Sequence, residues 1–186
     1  QAQARLIEDL LDVSRIVSGK LSVQMRPVTL NSMAQGVVAD MSPAAEAKGI
    51  ELRLTEDEEI KLIGDADRLQ QVVWNLLSNA IKFTPQGGSI HLAWKRGPDD
   101  LRFSVLDTGI GIEPIHLPRL TERFYRVDVA DSRAQGGTGL GLALVKHVLN
   151  RHGGRLSIES TLGAGATFTM HLPLRTGEAT ASKNTP

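Results

Sequence analysis

The sequence predicts an α+β protein, an α/β sandwich in which helices lie on one face of a mixed sheet. Three observations carry this prediction. Long segments repeat apolar residues at helical spacing, shorter ones alternate with period two, and the second half of the chain closes in hairpins without a regular βαβ rhythm. The 186 residues, 41% of them hydrophobic, suffice for one core. Basic and acidic side chains balance at 21 each, so no net field holds a polyanion; nucleic acid is not an expected partner, and any phosphate must be met locally. With no cysteine in the chain, disulfides and thiolate metal sites are excluded and a reducing, cytoplasmic setting is expected. No apolar run approaches the ~20 residues that span a bilayer, so this stretch predicts no membrane contact of its own. Glu8, Asp9 and Asp12 also break the opening segment as a signal peptide.

Taken in order, Leu6, Leu10, Val13 and Val17 recur at helical spacing, flanked by Ile7 and Leu11, until Ser18 and Gly19 stop the pattern. So broad an apolar face needs cover: a partner helix, a dimer mate, or the domain that follows. Because the pattern opens mid-helix, the chain reads as a fragment. Leu21–Thr29 suggests a short strand closed by Pro27, and 31–48 a helix capped near Asn31, bent or interrupted at Pro43 and ended by Gly49. Ile50–Leu54 and Ile60–Ile63 read as strands around the acidic turn Thr55–Glu59, and Asp65–Phe83 as a long helix stopped by Thr84-Pro85-Gln86-Gly87-Gly88. Ser89–Lys95 and Leu101–Leu106 flank good hairpin punctuation. Residues 107–138, rich in Gly and charge, read as a mobile and functional loop with a short helical stretch near 114–123. A helix from Leu140 to His152 follows, then strands Arg155–Ser160 and Ala166–Leu174 around Gly163 and Gly165. The tail 175–186 has the composition of disorder.

Three constellations carry chemistry. Asn75, Asn79 and Lys82 stand at i, i+4 and i+7 of the long helix and share one face, opposite Val72, Val73, Leu76, Leu77 and Ile81. An amide oxygen is a hard neutral ligand suited to Mg²⁺ that already carries phosphate, and a nearby ammonium can meet phosphates as a point charge; a merely solvated polar stripe is the alternative. Asp107-Thr108-Gly109-Ile110-Gly111-Ile112 puts a carboxylate at a strand end before two glycines that admit a ligand close to the backbone. Such a carboxylate can accept from the exocyclic amine of adenine, though Asp with Gly is also ordinary turn chemistry. Gly136-Gly137-Thr138-Gly139-Leu140-Gly141-Leu142 feeds a helix start, where free N–H groups and a positive dipole end favour phosphate. It lacks the Lys of a P-loop, the preceding strand and spacing of a dinucleotide fingerprint, and the partner motifs of protein kinases. Between these motifs Arg123-Phe124-Tyr125-Arg126 and Arg133 could close over a nucleotide, or the aromatics could simply anchor the loop.

NLLSNAIKFTP, DTGIGI, RFYRVD and GGTGLGLALVK, in that order, resemble the N, G1, F and G2 boxes of sensor histidine kinases, and the resemblance covers residues 21–174. LIEDLLDVSRI resembles the second helix of that family's dimerisation and phosphotransfer hairpin. The resemblance implies a Bergerat-type ATP-binding fold. It divides the chain into part of that hairpin (1–19), a catalytic domain (20–174) and a tail (175–186). It implies Mg²⁺ at Asn79, phosphates at Asn75 and Lys82, Phe83 beside the nucleotide where many relatives have Tyr, and Asp107 at the adenine amine. Gly109, Gly111, Ile112, Gly137, Thr138, Gly139, Leu140, Gly141 and Leu142 would wrap base and phosphates. Phe124 and Tyr125 would belong to the lid, with Arg126 reaching the transferable phosphate; Asn75, Lys82 and Arg126 would be the catalytic set.

None of the five histidines, His91, His116, His147, His152 and His171, has the setting of that family's phospho-acceptor. The acceptor is expected upstream of Gln1, and the implied partners are that segment, a dimer mate and the receiver domain of a response regulator. Gyrase-like hydrolases of similar fold carry Glu as general base where Asn75 stands; an amide cannot take a proton from water, which favours transfer to a separate nucleophile. An inactive docking module of the same fold is the remaining alternative.

Overall fold

The computed structural model describes residues 7, 10–12, 14–16, 18–56, 59–127 and 138–174. The strands are β1 (Arg26–Thr29), β2 (Glu51–Thr55), β3 (Lys61–Gly64), β4 (Ser89–Arg96), β5 (Asp100–Asp107), β6 (Arg155–Thr161) and β7 (Gly165–Pro173); the long helices are α1 (Leu30–Ala47), α2 (Ala66–Phe83) and α3 (Gly141–Arg151). Five strands form a mixed sheet in the order β2-β4-β5-β7-β6, and β1 pairs with β3 apart from it.

Only β2 and β4 run parallel; the other neighbours in the large sheet are antiparallel. One register row runs from Leu54 through Leu92, Val105 and Phe168 to Ile158, and alternation then fixes the faces. Ile90, Leu92 and Trp94, Leu101, Phe103 and Val105, and Phe168, Met170 and Leu172 are all buried. α1 lies along β2, α2 against β5, and α3 against β6 and β7. The predicted sandwich with helices on one face is thus the observed architecture.

Several local expectations need correction. The segment read as a strand over Leu21–Thr29 is extended and paired only at Arg26–Thr29. Thr29, not Asn31, occupies the N-cap of α1; Asn31 Oδ1 instead accepts from Ile60 N at 2.8 Å, tying the helix start to the approach to β3. α1 runs unbroken through Pro43; the carbonyl that proline leaves without a donor belongs to Ala39, which is exposed to solvent. β2 and β3 do not pair with each other across the acidic turn: one is an edge of the large sheet and the other joins β1. The helical stretch near 114–123 is a single 3-10 turn, Leu117–Arg119. The tail lies outside the described residues.

At the N-terminus, the described residues up to Ile16 are helical. Their contact with the domain is polar at its centre. Asp12, 5% exposed, accepts from Arg68 Nη1 at 2.6 Å and Gln71 Nε2 at 3.0 Å on α2. Burial alone would push its carboxyl up, but those hydrogen bonds and the charges of Arg68 and Arg15 outweigh it and hold the group below the ordinary carboxylate range. Ile16 packs on the core, while Ile7, Leu10 and Leu11 remain exposed. The segment therefore meets the following domain with only part of its apolar surface. Leu6, Val13 and Val17 lie outside the described side chains.

Candidate functional site

The site is organised by α2. Its hydrophobic side, Leu69, Val72, Val73, Leu76, Leu77, Ala80 and Ile81, is buried, which turns the Asn75–Asn79–Lys82 stripe away from the centre of the core. Asp65 caps the start by accepting from Arg68 N at 3.1 Å. Asn75 is 8% exposed and its Nδ2 donates to Gln71 O at 3.0 Å, while its Oδ1 takes no hydrogen bond from a described residue. A Cβ on Gly141 would lie 2.9 Å from that oxygen, so the second glycine motif meets α2 at Asn75. Asn79 is half-buried, and no described residue satisfies its side-chain amide.

At the other end of α2, Ile110 N donates to Phe83 O at 3.2 Å, and a Cβ on Gly109 would come within 2.7 Å of the same carbonyl. Phe83 is 40% exposed. Asp107 is buried, and its Oδ1 accepts from Gly109 N at 2.8 Å and from Ala166 N at 3.2 Å. Burial raises its pKa above 3.8, and these two N–H donors, pulling the other way, do not cancel the rise. Oδ2 takes no hydrogen bond from a described residue.

The loop after Asp107 is held from below. Gly163 N donates to Ile110 O at 2.7 Å, and Ile112 N donates to Ser160 Oγ at 2.9 Å, whose hydroxyl in turn donates to Gly165 O at 2.7 Å. Gly111, at φ +70, sits where a Cβ would collide with the Thr161 backbone.

Arg126 lies close enough to Lys82 for their charges to interact. Its Nη2 is buried without a hydrogen-bond partner among the described residues. Burial first, and the Arg126 charge second, hold the Lys82 ammonium below the ordinary lysine pKa, and Lys82 Nζ lies 5.0 Å from the centre of the Phe83 ring. Among the described residues neither cation has an acidic side chain in salt-bridge contact.

The two aromatics of the RFYR segment behave differently from one another. Phe124 is 63% exposed and so is no core anchor; it adopts φ +62 and donates its N–H to Gly139 O at 2.9 Å. Tyr125 is committed within the loop, its hydroxyl 2.7 Å from His116 Nδ1 and its ring under the Arg119 guanidinium at 4.2 Å. Thr138 Oγ1 accepts from Leu140 N at 3.3 Å. Leu140 is buried and Leu142 packs against the core. Among the described residues no side chain caps α3, and none takes its first-turn N–H groups. Gly137, Arg133 and the rest of 128–137 lie outside the described residues.

The histidines are engaged locally. His91 meets Thr55, and His171 meets Ser157 and Asp100. His152, buried, donates from Nδ1 to Val148 O and accepts from Asp65 N. Burial and the charges of Arg151 and Arg123 push His147 toward its neutral form.

Lys48 escaped sequence reasoning. Its ammonium donates to Ile81 O at 2.7 Å, Lys82 O at 3.2 Å and Thr84 O at 2.7 Å, closing the C-terminus of α2 from a different helix. A lone lysine after α1 signals only a favourable charge near that helix's own end, so nothing in the pattern points across to α2.

Residues 64–176 match the family model described as histidine kinase-, DNA gyrase B-, and HSP90-like ATPase. The chain belongs to this family. It is 40% identical over 175 residues to the phosphate regulon sensor protein PhoR of Pseudomonas aeruginosa, which covers 94% of the chain and 40% of that protein. With the sensor-like histidine kinase SenX3 of Mycobacterium tuberculosis the identity is 36% over 168 residues, covering 90% of the chain and 41% of that protein. The chain thus spans well under half the length of these relatives. Among solved structures it resembles the mycobacterial sensor histidine kinase MprB (TM-score 0.71, 29% identity, 82% of this chain and 99% of that one). Full-length ShkA in complex with AMPPNP gives a TM-score of 0.80 at 32% identity over 92% of this chain and 36% of that one. No helix among the described residues is long and apolar enough to cross a membrane.

Proposed function

We propose that the chain binds Mg-ATP in the cleft around α2 and donates the γ-phosphoryl group to a histidine carried by a segment outside it, for relay to a response regulator of a two-component system in the cytoplasm. The observation that carries this reading is the Lys82–Arg126 pair. Arg126 Nη2 is buried with no hydrogen-bond partner among the described residues, and the Lys82 ammonium is held below the ordinary lysine pKa by burial and by its cationic neighbour. Neighbouring cations of this kind are stabilised by an anion, and a polyphosphate supplies one at both ends.

Asp107, with Oδ1 bound to backbone and Oδ2 taking no bond from a described residue, would accept from the adenine amine. Phe83 would flank the base, and the open N–H groups of Gly141 and Leu142 would take phosphate oxygens. The residues fit magnesium: the Asn79 amide has no partner among the described residues, and no cluster of three His or acidic side chains among them offers a competing all-protein site. Mg²⁺ held by one amide, phosphates and water suits that ligand supply, and its chemistry is to neutralise phosphate charge. Asn75 reaches a phosphate only by giving up the Gln71 carbonyl, because the oxygen it leaves free is an acceptor. With an amide at that position, the chain has no general base there to activate water; its own part is positioning and charge stabilisation. The relatives are named as sensor kinases, and ShkA is described in complex with AMPPNP.

Calorimetric titration tests the binding half. Lys82→Ala or Arg126→Ala should weaken Mg-ATP by about tenfold or more, the scale of a lost charge-assisted contact, and leave adenosine within about twofold. Absence of binding by the unaltered chain at millimolar nucleotide would sink the reading. Joined to upstream sequence bearing a histidine, the chain should form an acid-labile, base-stable phosphoryl adduct from γ-labelled ATP. ATP hydrolysis without an adduct would favour the hydrolase of the same fold.

A further inference from the structure

We infer that Lys48 is a positioning residue for Lys82: by occupying the last carbonyls of α2 it keeps the Lys82 ammonium available to the phosphates. A helix ends with carbonyls that lack intrahelical donors, and a lysine in the last turn is the ordinary group to fold back onto them. Lys82 is the basic residue in the last turn of α2. Those carbonyls are already taken. Lys48 Nζ spends its three donors on Ile81 O, Lys82 O and Thr84 O.

Lys48 is itself aimed by backbone. Its N–H donates to Ala45 O at 3.1 Å, its carbonyl accepts from Gly87 N at 3.2 Å, and the next residue, Gly49, takes φ +59 so that the chain can turn there. The ammonium is therefore delivered from the junction of α1 with the turn that follows α2. Lys82 lies instead over the Phe83 ring and close enough to Arg126 for their charges to interact. That position faces a like charge, so a free set of carbonyls would draw Lys82 away from it. Lys48 removes the alternative without touching the ligand.

The inference rests on the phosphate role given to Lys82 above, and its test separates the two. Mg-ATP and adenosine are titrated by calorimetry into the 186-residue chain and into Lys48→Met, Lys82→Met, the double variant and Lys48→Arg. Lys48→Met should weaken Mg-ATP about tenfold and adenosine less than about twofold. In the Lys82→Met background Lys48→Met should cost nothing further, because the two substitutions remove one function. Lys48→Arg, which keeps donors and charge, should restore most of the affinity. Equal losses for ATP and adenosine would show a general loosening, and additive losses would show Lys48 acting as a remote charge; either overturns the inference.

A readout without nucleotide covers the case in which the chain binds no ATP. Acetylation of Lys82 by an active ester, followed by peptide mass spectrometry, should slow about threefold or more in Lys48→Met as the amine withdraws onto the carbonyls. An unchanged rate overturns the inference whatever the nucleotide result. If Lys48→Met does not fold, Lys48→Gln, whose amide can serve only part of the carbonyl set, takes its place in both measurements with the same outcomes.

Discussion

Asp107→Asn is expected to lower ATP affinity by about a hundredfold while leaving the nucleotide-free protein at least as stable as the wild type at pH 7. The two halves have opposite signs because the two carboxylate oxygens have different jobs. Oδ1 accepts from Gly109 N and Ala166 N, and an amide oxygen can do the same. Oδ2 has no donor among the described residues, and an amide nitrogen there would confront an adenine amine with another donor. On the stability side, burial wins over the two backbone bonds and raises the Asp107 pKa. A carboxyl whose folded pKa is raised favours the folded state below the ordinary carboxylate range and loses that contribution as pH rises through the raised value. At pH 7 its charge is a net cost, which the amide removes.

The same sign predicts the pH dependence. ATP affinity of the wild type should fall as pH drops through the raised Asp107 value, beginning above the range of an ordinary aspartate, because a protonated oxygen no longer accepts at that position. Calorimetry across the acidic range together with thermal melts reads both effects. An Asn variant that keeps ATP affinity within about threefold, or loses it only by unfolding, would remove Asp107 from base recognition.

Which features could be read from the sequence follows from what periodicity encodes. α2 and its Asn75–Asn79–Lys82 stripe were legible because a period near four places residues on a face wherever the helix goes. The β4–β5 hairpin was legible because its turn is local. β2 and β3 were identified as strands but not by partner, since an alternating pattern states which side is buried and not which strand lies alongside. Asn31 was legible as a polar residue near a helix start, yet its oxygen serves Ile60 N, 29 residues away. Lys48, Ser160 and the buried Asp12 act across the same kind of distance, through single side chains with no repeat to betray them. Tyr125 lay in a motif that draws attention to a ligand, while its hydroxyl and ring are occupied by His116 and Arg119. The glycine motifs were read as room for a ligand; among the described residues Gly109, Gly111 and Gly141 approach Phe83 O, the Thr161 backbone and Asn75, and the close contact of β7 with β5 falls at Gly165, outside both motifs.

Gly165→Ala shows how much depends on that approach, and is expected to destabilise the protein by about 3–5 kcal/mol. Gly165 has φ +92, and a Cβ on it would lie far inside van der Waals distance of Asp107 O, 2.9 Å from the Asp107 carbonyl carbon and 3.1 Å from Gly109 N. These are backbone atoms, so no side-chain rotation relieves the clash. The neighbouring bonds move with it: Ala166 N holds Asp107 Oδ1, and Ser160 Oγ links Gly165 O to Ile112 N. Displacing Gly165 therefore shifts the carboxylate and the loop beyond it together. Gly163→Ala is the matched comparison. Gly163 has φ +80 but nothing within 4 Å of its would-be Cβ, so it should lose only the ~1–2 kcal/mol of a left-handed non-glycine residue and keep ATP affinity. Urea melts give the two stabilities, and titration at a temperature where both variants are folded gives the affinities. If the two variants behave alike, left-handed strain accounts for both, and the contact between Gly165 and Asp107 does not set the carboxylate in place.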